Sequence, residues 1–108
     1  MEFRWLEDAL ADVTQIYRDV AADDPRAAAR LVERIQAAVR SLGGVPHLGR
    51  PGRWPGTREL VVPRTPYIVP YRVKGHVVEI LAMGMARRGE APSGSIAQRV
   101  LPHLVRQL

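Results

Sequence analysis

Three short β-rich segments between residues 56 and 88 constrain the fold more than any other feature of this sequence. The segments at residues 56–62, 67–73 and 76–83 are rich in β-branched and aromatic residues, and turn-forming residues separate them. Lys74 and Gly75 form the expected two-residue loop between the last two segments. The pattern predicts a three-stranded antiparallel meander, which must bury one face because a small bare sheet is unstable in water.

Two amphipathic helices precede the meander and supply a layer for that face. Apolar residues recur three or four positions apart, at Leu6, Leu10, Val13, Tyr17 and Val20 in the first helix and at Ala28, Leu31, Ile35, Ala38 and Leu42 in the second. This spacing places Asp12 on the polar side of the first helix. Asp24 and Pro25 suit the start of the second helix, and Gly43 suits a left-handed residue after its end. So short a link predicts an antiparallel helical hairpin.

The remaining segments complete a single domain over residues 1–108. Residues 1–5 alternate as a strand does, whereas residues 45–56 form a loop rich in proline and glycine, in which we expect Trp54 to cover the edge of the core. Helical spacing returns near the end, so residues 95–108 are a short helical tail, which Pro102 interrupts. The predicted class is α+β: an N-terminal strand and an antiparallel helical hairpin packed on a three- to four-stranded antiparallel sheet, with the helical tail.

Charge is distributed unevenly along the chain. Residues 1–33 carry a net charge of −4 and residues 34–108 a net charge of +9, and fifteen of the sixteen basic residues are arginines. A basic surface of this kind attracts an acidic protein or a nucleic acid. Arginine favours planar, two-point contacts with carboxylate or phosphate, although an arginine-rich genome explains the choice of Arg over Lys equally well.

Composition excludes several classes of site. Cysteine is absent, so disulfides, thiolate metal ligands and cysteine nucleophiles are absent too. His47, His76 and His103 are widely spaced and form no metal-binding pattern. We therefore expect no metal and no cofactor. We also expect no membrane span and a cytoplasmic location, since no apolar run is long enough to cross a bilayer and the first residues lack the apolar core of a signal peptide.

Alternation along the central strand assigns its residues to two faces. Tyr67 and Tyr71 share a face with two valines and are expected to pack on the helical hairpin. Arg72 lies on the other face. Pro70 cannot donate a hydrogen bond to a neighbouring strand, so we expect a bulge or an interrupted pairing there. On the preceding strand, Glu59 is expected to be a solvated carboxylate.

The order of strand, helical hairpin, loop and meander resembles the RelE/ParE superfamily of type II toxin–antitoxin toxins. The resemblance rests on Pro46-x-x-Gly49-Arg50, on Gly56-Thr57-Arg58-Glu59-Leu60, on Pro66-Tyr67-Ile68-Val69-x-Tyr71-Arg72-Val73, and on Val78-Glu79-Ile80-Leu81 leading to Arg87-Arg88. It covers nearly the whole chain. The superfamily implies two activities: RelE-like members cleave messenger RNA on the ribosome, whereas ParE-like members inhibit DNA gyrase.

The side chains that RNA cleavage requires are missing at the matching positions. RelE-like members carry basic residues where this chain has Glu59 and Val61, and other nucleolytic members have histidine where it has Met85. No aromatic residue follows Tyr71. The resemblance therefore favours a ParE-like toxin with no catalytic residues. A ribosome-dependent endoribonuclease with an arginine-only site and a binding module that has lost toxicity stay open as alternatives.

The same resemblance implies partners and a binding surface. We expect a cognate antitoxin whose acidic or amphipathic segment lies across the hairpin and the sheet and covers the basic face, and contact with operator DNA only through that antitoxin. A homodimer and a heterotetramer with the antitoxin both stay open. The predicted target-binding residues are Arg58, Arg72, Arg87 and Arg88, with Arg50 and Arg53 from the loop.

Overall fold

The computed structural model describes residues 1–85, and the predictions for the helical tail lie outside this part of the chain. Its elements in chain order are β1 (Glu2–Trp5), α1 (Glu7–Ala21), α2 (Pro25–Ser41), β2 (Arg50–Pro51), β3 (Arg58–Val61), β4 (Tyr67–Lys74), β5 (Val77–Ile80) and β6 (Gly84–Met85). Two helices pack beside one sheet, which confirms the predicted α+β class. Neither helix is long and apolar enough to cross a membrane.

The helical hairpin forms where the sequence predicts it, and its two helices pack against each other. The Asp24 carboxylate accepts hydrogen bonds from the backbone amides of Arg26 and Ala27, both at 3.1 Å, and Pro25 occupies the first position of α2. These bonds satisfy two amides that have no partner within the helix. The expectation for Gly43 was wrong, because its φ is not positive. α2 instead ends with a tighter bond from the amide of Gly43 to the carbonyl of Arg40.

The sheet is mixed, with the strand order β1-β5-β4-β3-β2 and β6 paired to β4. The predicted meander is confirmed, since β3, β4 and β5 are consecutive antiparallel neighbours. The N-terminal strand joins the same sheet rather than standing apart from it. It runs parallel to β5, with Phe3 opposite Val78 and Trp5 opposite Ile80.

The turn between β4 and β5 lies one residue later than predicted. Lys74 pairs with Val77, so the two-residue loop consists of Gly75 and His76. Gly75 is the first loop residue and has a φ of +61°, while φ at His76 is not positive. Positive φ at the first loop residue alone fits a type II′ turn, which matches the right-handed twist of the strands.

The irregular pairing predicted at Pro70 is confirmed: it is a bulge in the segment between β5 and β6, which lies beside β4. Tyr71 pairs with Ile80 and Ile68 pairs with Gly84, so three residues, 81–83, lie opposite the two residues 69–70. The extra residue leaves the amide of Met83 outside the strand pairing.

Asp12 of α1 accepts a hydrogen bond from the Met83 amide at 3.0 Å. Only 8% of Asp12 is exposed, so its predicted place on the polar side of α1 was wrong. A buried carboxylate is stable there because it is hydrogen-bonded.

The core lies between the helical hairpin and one face of the sheet. Its buried residues include Ile35 and Val39 from α2 and Val69, Tyr71 and Ile80 from the sheet. Tyr67 and Val73 pack on its margin, as the alternation along β4 predicts. A second, smaller cluster contains Leu81 and Ala82, with Leu6 and Trp54 packed against it, and Trp54 therefore covers the edge of the core.

Candidate interaction surface

The loop at residues 45–56 is held against the sheet by the hydroxyl of Tyr71. This hydroxyl donates a hydrogen bond to the carbonyl of Pro46 at 2.8 Å and accepts one from the amide of Gly49 at 2.9 Å. A Cβ at residue 49 would lie 2.7 Å from the hydroxyl oxygen, so only glycine fits without a shift. The loop conformation therefore depends on a fully buried side chain of β4.

Arg58 of β3 holds the same loop from a second point. It pairs with Tyr71 across β3 and β4, so both side chains lie on the face of the sheet that packs on the helices. Its Nη1 donates to the carbonyl of Gly49 at 2.8 Å and to that of His47 at 3.3 Å. Arg58 is half-buried. This predicted binding residue thus has a structural role in holding the loop.

Arg50 lies on the opposite face of the sheet and forms an ion pair with Glu59. The Arg50 Nη2 is 3.2 Å from the Glu59 Oε1, and the two residues are directly opposite each other in β2 and β3. The Arg50 side chain is 57% exposed, whereas that of Glu59 is 9% exposed. The prediction that Glu59 is a solvated carboxylate was therefore wrong, because Arg50 and the sheet cover it.

The other predicted binding residues have different environments. Arg53 is exposed in the turn after β2. Arg87 and Arg88 lie outside the described residues. Arg72 is buried, with 8% of its surface exposed, and its Nε donates to the Glu79 Oε1. The structure therefore brings Arg50, Arg53 and Arg58 together around one loop and places Arg72 within the fold.

Glu79 joins three strands on the face of the sheet that points away from the helices. It lies opposite Arg72 of β4 and Arg4 of β1, and its Oε2 is 3.6 Å from the Nη1 of Arg4. We call this side of the sheet, with Arg4, Arg50, Glu59, Arg72 and Glu79, the charged face. Its two glutamates are buried, and each is bound to at least one arginine.

These ion pairs limit what the charged face can do chemically. A general base needs a carboxylate oxygen within hydrogen-bond reach of the proton that it removes. In Glu79 both oxygens face arginines, and in Glu59 one oxygen does. Residues 1–85 contain no group of three or more histidines or carboxylates that could hold a metal ion. In the described part of the charged face, arginines therefore hold both buried glutamates.

An apolar groove lies on the other side of the molecule, between β1 and the two helices. Its volume is about 410 Å³, and Phe3, Trp5, Leu10, Val13, Ile35 and Val39 line it together with Thr14, Gln36 and Arg40. Leu10 is 52% exposed here, although the helical pattern predicted it as part of the buried stripe. We call this feature the hairpin groove.

Sequence reasoning missed two of the interactions that shape these surfaces. The predicted turn between β4 and β5 is one residue too early, and it sets Arg72 opposite Val77. The Arg72–Glu79 pair therefore could not be predicted. The hydrogen bond from Met83 to Asp12 joins residues 71 positions apart, and no local pattern indicates it.

Comparison with known proteins places this fold and these strands in a family. A family model described as the ParE toxin of the type II toxin–antitoxin system parDE matches residues 3–89. A putative toxin of Sinorhizobium fredii, Y4kP, is 49% identical over 80 residues, which is 74% of this chain and 82% of that protein. Toxin RelE1 of Caulobacter vibrioides is 42% identical over 59 residues, or 53% of this chain and 62% of that protein.

Solved structures show the same relationship. The chromosomal ParDE toxin–antitoxin system from P. aeruginosa contains a chain with a TM-score of 0.73 and 34% identity, over 81% of this chain and 97% of that one. The RelBE2 toxin–antitoxin complex from Mycobacterium tuberculosis gives a TM-score of 0.54 and 26% identity, over 79% and 96% of the two chains. The chain described here therefore belongs to the ParE toxin family of type II toxin–antitoxin systems, within the RelE/ParE superfamily.

Proposed function

We propose that this toxin acts in the cytoplasm by binding DNA gyrase and inhibiting it, and that a cognate antitoxin neutralises it. The observation that carries the proposal is the pairing of both buried glutamates on the charged face with arginines. A toxin that cleaves RNA needs a base for the attacking hydroxyl, and an arginine-bound carboxylate is poorly placed to serve. Inhibition by binding needs only a complementary surface.

The target-binding surface in this proposal is built around the loop at residues 45–56. Arg50 and Arg53 are exposed there, and Arg58, which is half-buried, donates hydrogen bonds to two carbonyls of the loop. Arg87 and Arg88 complete the set from the sequence. Arg72 is left out because its guanidinium is buried against Glu79, where it stabilises the sheet.

A supercoiling assay tests the proposal. Purified toxin should inhibit gyrase in a dose-dependent way, and Arg53→Glu should weaken the inhibition because it places a negative charge in the basic loop. Arg30→Glu is the matched control, since Arg30 is exposed on α2 away from the loop. Gyrase that works normally at a large molar excess of toxin would rule the proposal out.

RNA cleavage is the second candidate, and similarity to Toxin RelE1 and to the RelBE2 complex supports it. In that case the arginines of the charged face would stabilise the charge that develops on the phosphate. Primer extension on translated messages after toxin induction should then reveal cuts at fixed codon positions. Intact transcripts in growth-arrested cells would exclude this activity.

The antitoxin is proposed to bind in the hairpin groove. The groove is lined by apolar side chains and has Arg40 at its margin, so it fits an amphipathic segment with an acidic residue beside its apolar face. Operator DNA would then be contacted only by the antitoxin. Leu10→Glu should abolish co-purification from the native operon, whereas Ala29→Glu, at an exposed position of α2, should not. Undiminished co-purification of the Leu10 variant would contradict this docking site.

A further inference from the structure

Arg58 is half-buried, whereas Arg50 and Arg53 are exposed. Its hydrogen-bond partners also differ from those of Arg72. Arg72 and Arg50 each contact a glutamate. Within residues 1–85 no carboxylate lies at ion-pair distance from Arg58, and its guanidinium donates to two backbone carbonyls. Carbonyls orient a guanidinium but leave its charge uncompensated. A half-buried cation in this state attracts an anion more strongly than an exposed one, because water screens it less.

The free donors of Arg58 have a defined geometry. A guanidinium has five N–H groups, and both hydrogen bonds within the described chain come from Nη1. The Nε–H and Nη2–H groups therefore remain. They point in parallel along one edge of the planar group, which is the arrangement that binds both oxygens of a carboxylate.

A pocket of about 350 Å³ adjoins this side chain. It is lined by His47, Pro51, Gly56, Thr57, Arg58 and Val73. The hydroxyl of Thr57 donates to the carbonyl of Trp54 at 2.6 Å, so it helps to fix the turn that forms one wall. Arg58 of β3 thus forms one wall of the pocket, and the turn at residues 54–57 forms another.

The walls favour a protein carboxylate over a nucleic-acid phosphate. Val73 and Pro51 contribute aliphatic surface to the lining, beside the polar side chains of His47 and Thr57. Aliphatic surface next to one charged fork suits the methylene groups and the carboxylate of an acidic side chain. A nucleic-acid backbone would need a row of cations, and Arg58 is the one arginine or lysine among the described residues that line this pocket.

We propose that this pocket is a carboxylate-binding site, which receives the side chain of an Asp or Glu residue from a protein partner of the toxin. The site rests on the proposed function in one respect, namely that the chain acts by binding proteins. Its chemistry stands apart from gyrase inhibition, since a small carboxylate can occupy it in the absence of any partner.

The test is a titration of the isotope-labelled full-length chain, followed by the NMR signal of the Arg58 Nε–H group. The probes are propionate, methyl phosphate and chloride at matched ionic strength. Propionate should shift the signal saturably and bind several-fold more tightly than methyl phosphate. Methyl phosphate binding as tightly as propionate, or propionate acting no differently from chloride, would overturn the proposal.

Variants separate the site from the structural role of Arg58. Arg58→Lys keeps a cation for the loop carbonyls but lacks the two parallel N–H donors. The affinity for propionate, measured from the NMR signals of the pocket amides, should therefore fall at least about tenfold. The signal of the Gly49 amide should stay in place. Arg30→Gln, at an exposed position of α2, should leave the affinity unchanged. If Arg58→Lys bound propionate as tightly as the parent protein, two-point binding by the Arg58 guanidinium would be refuted. Because no gyrase is present, failure here is distinguishable from failure of the supercoiling assay.

Discussion

Replacing Tyr71 by Phe removes one oxygen atom and should destabilise the protein markedly. The hydroxyl donates to the carbonyl of Pro46 at 2.8 Å and accepts from the amide of Gly49 at 2.9 Å. The second bond is buried, so Tyr71→Phe leaves an amide without a partner and without access to water. A buried unsatisfied group costs about 1–3 kcal/mol, and the lost bond to the half-buried carbonyl adds about 1 kcal/mol. The free energy of unfolding should fall by roughly 2–4 kcal/mol.

Chemical denaturation of the two proteins measures this difference from their unfolding midpoints and slopes. Tyr17→Phe is the matched control, because Tyr17 is 42% exposed and the same oxygen is removed there. Its free energy of unfolding should stay within about 0.5 kcal/mol of the parent value. A Tyr71 variant that is destabilised no more than the Tyr17 variant would show that the hydroxyl does not hold the loop.

Three further changes test other contacts by thermal or chemical denaturation. Gly49→Ala should lower the free energy of unfolding by about 1–3 kcal/mol, because the new Cβ would lie 2.7 Å from the buried ring of Tyr71. Gly44→Ala should be tolerated, since no atom lies within 4 Å of its Cβ, and equal stability of the two variants would refute the close approach at Gly49. Asp12→Ala should lower the free energy of unfolding by about 1–3 kcal/mol, because it leaves the Met83 amide unpaired. Asp12→Asn keeps an acceptor and should be less destabilising, and the reverse order of the two variants would contradict the hydrogen bond. Asp24→Ala should cost about 1 kcal/mol through loss of the α2 cap, and an unchanged midpoint would argue against that cap.

Local patterns were sufficient for the elements that depend on local physics. Asp24 and Pro25 start α2 as predicted, and the alternation along β4 correctly separates Tyr71 from Arg72. Even the break in strand pairing followed from Pro70, which has no amide hydrogen to donate.

Long-range geometry was not accessible in the same way. A turn misplaced by one residue changes every cross-strand partner, and that error hid the pairing of Arg72 with Glu79. The exposed loop arginine Arg53 could be predicted from composition. The burial of Asp12 could not, because its partner lies 71 residues away.

The parallel pairing of β1 with β5 has a consequence for synthesis of the toxin. Glu2 and its partner Val77 are separated by 75 positions, so the first strand to be translated cannot pair until β5 has been made. Helices α1 and α2 can form on the emerging chain, but Phe3 and Trp5 have no neighbouring strand until translation has passed Ile80. A nascent chain interrupted before that codon would leave these aromatic side chains uncovered, as a substrate for chaperones and proteases.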